Sequence, residues 1–110
     1  MKQVLLLCLL IPIASCGPNY KPLAATLATY QGKYQMTVRG KTSAIQVSLN
    51  GDDLYSTTLW NGESNLLKPI SPNNFIMQDK EWTVKFKRDK NGKVMQVLVM
   101  GTDLWTRINN

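Results

Sequence analysis

From residue 30 onward the chain alternates apolar and polar residues with a period of two, and seven clusters of turn-forming residues interrupt that alternation. In YQGKYQMTVR, residues 30–39, one parity carries Tyr30, Gly32, Tyr34, Met36 and Val38, while the other carries Gln31, Lys33, Gln35, Thr37 and Arg39. Successive side chains of a strand point to opposite faces, so this is the pattern of a half-buried strand. The alternation returns at 45–49, 54–59, 66–70, 75–77, 82–86, 94–100 and 104–108, which makes eight strands. The breaks, RGKTS, NGDD, NGES, SPNN, QDKE, DKNGK and GTD, are rich in residues that tolerate turn dihedrals. Strands joined by such short connections run antiparallel to their neighbours, and closing the sheet removes the two unpaired edges that invite aggregation. The expected fold is all-β, a small eight-stranded antiparallel up-and-down barrel. Ahead of it, Leu23, Leu27 and Tyr30 have the i, i+4, i+7 spacing of one helical face, so a short N-terminal helical plug is expected over 23–29.

The first residues obey a different logic. The run VLLLCLLIPIA, residues 4–14, carries no charge and follows Lys2. It falls short of the roughly 20 apolar residues that a membrane span needs, and Pro12 and the lack of a polar face argue against a buried helix. A basic start, a short apolar segment and small residues before a break are the parts of a secretory signal peptide. Here the small residues precede a cysteine, and Ile13-Ala14-Ser15-Cys16 resembles the lipobox of bacterial lipoproteins. The resemblance implies cleavage before Cys16, a lipid on its sulfur and acylation of the new amino terminus. Cys8 fails the same test because the bulky Leu7 precedes it. An ordinary cleaved signal is the plainer alternative.

This reading divides the chain into a signal peptide over 1–15, a tether over 16–22 and a single domain over 23–110. Each buried methylene contributes about 0.8 kcal/mol and one acyl chain holds only marginally, so the several chains of a lipoprotein would anchor it stably to a membrane. By the sorting rule of enteric bacteria, Gly17 in place of an Asp favours the outer membrane, and the lack of acidic residues over 17–21 favours its periplasmic face. Cys16 would be the mature domain's one cysteine, leaving no internal disulfide. The formal charge of +6 becomes +5 without Lys2, with 12 basic against 7 acidic residues. A secreted, tethered chain without a nucleic-acid motif is not expected to have a nucleic-acid partner. Half of those basic residues cluster in KEWTVKFKRDKNGK, residues 80–93, which reads either as a solvated hairpin face or as a surface drawn to anionic lipid head groups.

Three further patterns stand together: Tyr30, Gly32 and Tyr34; Leu67, Pro69 and Phe75; and Phe86, Arg88, Asp89, Gly92, Lys93 and Val94. They resemble the small domain of unknown function, DUF3471, found at the C-terminus of many beta-lactamase-related serine hydrolases. That resemblance implies a lipocalin-like barrel, in agreement with the strand count. The residues themselves have structural explanations. Gly32 lets the first strand pass close to a neighbour, and Asn91-Gly92 suits a hairpin connection with positive backbone angles.

The hydrolase that such domains accompany is missing from this sequence. No serine is followed at the third position by lysine, and the chain has no histidine, which removes Ser-His-Asp and Cys-His chemistry and histidine metal sites. The pair Asp79 and Glu81 could serve acid–base chemistry on a sugar, but nothing beside them would desolvate one member. No catalytic residue, cofactor or metal is therefore expected.

Two non-catalytic functions remain. In the first, the barrel carries a small apolar ligand lined by Tyr34, Met36, Phe75, Met77, Trp82 and Phe86, with Val38, Ile45 and Val84 on the same inward parity. Strands this short also allow those bulky side chains to fill the interior themselves. In the second, the domain is a scaffold for another envelope protein. If Leu104 faces in, Trp105 faces out beside Arg107, and an outward Trp next to an Arg is the kind of residue that anchors interfaces. The competing expectation is that Trp105 covers the open end of the barrel under the 23–29 segment.

Overall fold

A computed structural model describes residues 20–108. The expected signal peptide, the expected lipobox with Cys16 and most of the expected tether lie outside the described residues. After helix α1 (Ala24–Ala28) come eight strands: β1 (Gly32–Val38), β2 (Lys41–Asn50), β3 (Asp53–Thr58), β4 (Ser64–Ser71), β5 (Asn74–Met77), β6 (Trp82–Arg88), β7 (Val94–Val99) and β8 (Asp103–Ile108). Each pairs antiparallel with the next, and β8 returns to pair with β1 through Tyr34 opposite Arg107, closing the barrel. The eight-stranded up-and-down barrel expected from the alternation is the fold.

Odd-numbered and even-numbered strands run in opposite directions, so the barrel has two distinct ends. At one end the chain enters through α1, which is capped by Leu23 and Thr29 and packs against β2 and β3. Leu27 and Tyr30 are buried, as the helical spacing requires, whereas Leu23 is exposed because it stands at the extended N-cap rather than on the helical face. The β2–β3, β4–β5 and β6–β7 connections share this end. The other end holds the β1–β2, β3–β4, β5–β6 and β7–β8 connections.

The half nearest α1 is solid. Tyr30 stands edge-on to Phe75 at 5.2 Å between ring centroids and lies against Phe86 at 4.6 Å. Tyr34 and Phe75 each meet Phe86 edge-on. Edge-to-face rings add stabilisation beyond the area they bury. Leu54, Leu67, Val47, Val94 and Val97 complete a core that is almost entirely buried.

Arg88 clasps this end from outside. Its guanidinium donates to Asn73 Oδ1 at 2.9 Å, to the Gly92 carbonyl at 2.7 Å and to Thr29 Oγ1 at 3.1 Å, and it lies over the Tyr30 ring. Asp89 shapes the β6–β7 turn by accepting from the Asn91 and Lys93 backbone N–H groups. Of the pair Asn91-Gly92, only Gly92 takes a positive φ. The residues that carry the resemblance to the hydrolase-appended domain thus gather at the end plugged by α1.

The last strand differs from expectation. Trp105 is buried and Leu104 is exposed, the reverse of the assumed parity. Register explains the reversal: Trp105 lies opposite Val97, which is buried, and directly paired residues share a face. Trp105 therefore points inward, and Arg107 follows it on the same parity. The Arg107 side chain donates to the Val94 carbonyl at 3.1 Å and to the Gln31 carbonyl. Gly32 leaves room for it, since a Cβ there would sit 2.6 Å from Arg107 Nε. The close approach expected at Gly32 is to this guanidinium.

Candidate functional site: an apolar cavity at the open end

The half of the barrel away from α1 is not filled. It holds a cavity of about 470 Å³ whose floor and walls are formed by Met36, Ile45, Met77, Val99 and Trp105. The reason is a change of side-chain size along the inward parities. Near α1 the inward positions hold Tyr34, Phe75 and Phe86, whereas β3 contributes Ser56 and Thr58 toward the open end. Small side chains at these inward positions leave space that Met36 and Met77 do not fill.

Of the six side chains expected to line a ligand site, the structure separates two groups. Met36, Met77 and Trp82 border the cavity, while Tyr34, Phe75 and Phe86 belong to the packed half. Trp82 keeps the inward parity of Val84 and Phe86 but stands at the rim, where it is partly exposed. Val38 ends β1 at the same rim and is exposed rather than lining the interior. Trp105, expected either at an outer surface or under the 23–29 segment, lines the cavity at the end away from α1 instead. Arg107 is drawn into the packed half.

Trp60 was not a sequence candidate. It follows Leu59 and precedes the turn NGES, where a large aromatic residue has no core to enter, and that position is the signal that could have marked it. It stands at the rim, 60% exposed, its ring nearly parallel to that of Trp105 at 6.3 Å between centroids. It also borders an outer groove of about 580 Å³ with Lys33, Lys41 and Leu59. All three tryptophans of the chain therefore meet at one mouth.

The rim is apolar as well. Among the described residues nine large hydrophobic side chains are exposed, and six of them, Val38, Leu59, Trp60, Trp82, Met100 and Leu104, occupy strand ends or turns at the open end. Scattered exposed apolar residues need no explanation, but a ring of them around a concavity marks a binding surface.

The polar groups are few. Lys80 forms an ion pair with Glu63 at 3.2 Å and lies over the Trp82 ring at 5.2 Å from its centroid. Asp103 accepts from Thr102 Oγ1. Thr58 Oγ1 donates to Asn61 Oδ1, which also accepts from the Glu63 backbone N–H, so the β3–β4 connection carrying Trp60 is internally braced. Among the described residues no three acidic, histidine or cysteine side chains come together as a metal site. Asp79 and Glu81 lie in the β5–β6 connection.

No protein-family model matches the chain, and no curated protein matches it. The likeness to the hydrolase-appended domain rests on the motif residues themselves, and those residues build the plugged end. The cavity lies apart from them.

Proposed function

We propose that this chain is a lipid-anchored envelope protein whose barrel binds a small apolar ligand at its open end and performs no catalysis. The observation that carries this reading is the cavity of about 470 Å³ between Met36, Met77 and Trp105. Its size falls in the range of roughly 300–1,000 Å³ usual for small-molecule sites, and its apolar lining with a few polar groups at the mouth is their usual composition. The exposed ring of Trp60, Trp82 and Met100 supplies an apolar landing surface around it.

The direction from which the chain arrives suits an anchor. Tyr20 and Lys21 lie at the plugged end, where Lys21 pairs with Asp53 at 3.7 Å. A lipid on Cys16 would hold that end toward the membrane and leave the mouth facing away from it. The basic run divides accordingly. Lys80 sits at the mouth, while Lys87, Arg88, Lys90 and Lys93 lie at the plugged end, where they would face anionic head groups. An interface built on an outward Trp105 has lost its residue, which leaves the ligand-binding reading ahead of the scaffold reading.

Cell fractionation and native mass spectrometry test the two parts. The wild-type chain is expected in the membrane fraction and the Cys16→Ser chain outside it; equal partition would remove the anchor. The soluble Cys16→Ser chain, purified without detergent, is expected to carry extra mass that is lost on denaturation, or to take up a medium-chain ester added to it. A bare mass that no apolar probe changes would remove the ligand.

A further inference from the structure

Among the described residues, one buried side-chain nitrogen or oxygen has no hydrogen-bond partner: Nε1 of Trp105. Tryptophan is a donor only, and a buried donor left unpaired costs on the order of 1–3 kcal/mol. Native proteins rarely keep such a group without a use. The residue is more than nine-tenths buried and forms part of the cavity wall. The surrounding protein offers no acceptor, so the acceptor is whatever occupies that cavity, water before a ligand enters and a polar atom of the ligand once the water is displaced.

The charges at the mouth restrict the acceptor further. Lys80 is the one cation of the lining, and it is already held by Glu63 and by the face of Trp82. Glu63 and Asp103 make the lining net negative. The basic hairpin at the plugged end is roughly 20 Å away along strands that rise about 3.3 Å per residue. That exceeds the Debye length of about 10 Å at 0.1 M salt, so the hairpin does little for an anion at the mouth. A carboxylate buried within the lining would meet one indole N–H and a lysine that is already paired, which does not offset the loss of its hydration, and Arg39 and Lys41 at the β1–β2 connection lie outside that lining.

Resting on the ligand-binding reading above, we infer that the cavity takes an uncharged apolar chain bearing one carbonyl acceptor, as in an ester or amide, with that oxygen paired to Trp105 Nε1 and with carboxylates excluded. The chain of the ligand lies against Met36, Ile45 and Met77, and Trp60 covers it from the rim.

The test titrates the Cys16→Ser chain with methyl octanoate, with octanoate and with n-octane dosed as vapour, following the fluorescence of the mouth tryptophans. Methyl octanoate is expected to bind at least about tenfold more tightly than either of the others, a factor that one buried hydrogen bond can supply. In Trp105→Phe, which keeps an aromatic ring and loses the donor, Trp60 and Trp82 still report binding. There the ester and the alkane are expected to bind with equal affinity, so that their ratio, which a change in the shape of the wall moves alike for both, falls from about tenfold to about one. Retained alkane binding shows that the variant is folded. Ester and alkane binding equally well to the wild type, or an ester advantage that survives Trp105→Phe, would overturn the acceptor. Octanoate binding as tightly as the ester would overturn the exclusion of anions. Either result leaves the cavity reading standing, whereas failure of all three probes to bind would overturn that reading itself.

Discussion

Tyr34 shows how completely the packed half excludes water. Its side chain is fully buried, and its hydroxyl donates to the Tyr30 carbonyl at 2.8 Å. Burial pushes the phenol up to about 12, against the opposing pull of the Arg107 and Arg88 charges. In the unfolded chain a tyrosine titrates near 10. This contribution to stability is therefore fully present below about pH 10 and declines as pH rises from there to about 12, because the unfolded state releases its proton first. Denaturant melts at about pH 8 and about pH 11 should show the wild type losing roughly 1 kcal/mol more than Tyr34→Phe over that interval; equal losses would contradict the burial. Gly32 is the other residue with a sharp consequence. A methyl group there meets Arg107 Nε, whose guanidinium is already held by the carbonyls of Val94 and Gln31. Gly32→Ala should lower stability by about 1–3 kcal/mol, the usual cost of overpacking, while Arg107→Ala in the same background should recover part of the loss. A neutral Gly32→Ala in thermal melts would contradict the close approach.

Single elements span both halves of the barrel, and β6 shows the change from one to the other. Phe86 is buried in the aromatic cluster, Val84 lies midway, and Trp82 stands partly exposed at the rim on the same parity. Phe86→Ala should cost about 3–5 kcal/mol, as for other buried aromatic truncations. Trp82→Ala should cost roughly 1 kcal/mol, in line with a residue near the surface. Similar losses for the two in chemical denaturation would contradict the division. The same strand explains what was legible beforehand. Where one parity is apolar and the other charged, as in WTVKFKR, the pattern alone gives both the strand and its inward face. In β8, DLWTRI, both parities carry a large apolar residue, and only the pairing of Trp105 with buried Val97 decides which one enters. The helical spacing located α1, yet it could not show that Leu23 lies before the first turn. The cavity was legible only in part. Met36, Met77 and Trp82 follow from parity, whereas Trp60 reaches the site through a loop conformation, and the space itself arises because Ser56 and Thr58 hold inward positions where the packed half has aromatic residues.

At the scale of the whole molecule, the two ends differ in what their residues do for the fold. The plugged end carries α1, the aromatic cluster, the Arg88 clasp and most of the basic hairpin, and its residues are explained by holding the fold together. The open end carries the three tryptophans, the apolar rim and the unpaired indole nitrogen; Trp105 is part of the buried core, whereas Trp60 and Trp82 stand exposed at the rim. The most direct measurement is a two-dimensional nitrogen–proton NMR titration of the Cys16→Ser chain with methyl octanoate. The three indole N–H signals all report on the mouth. All three should shift on binding, with Trp105 moving furthest downfield, while the backbone amides of Tyr34, Phe75 and Phe86 stay in place. Stationary indole signals, or shifts concentrated around Phe75 and Phe86, would contradict a binding site at the open end.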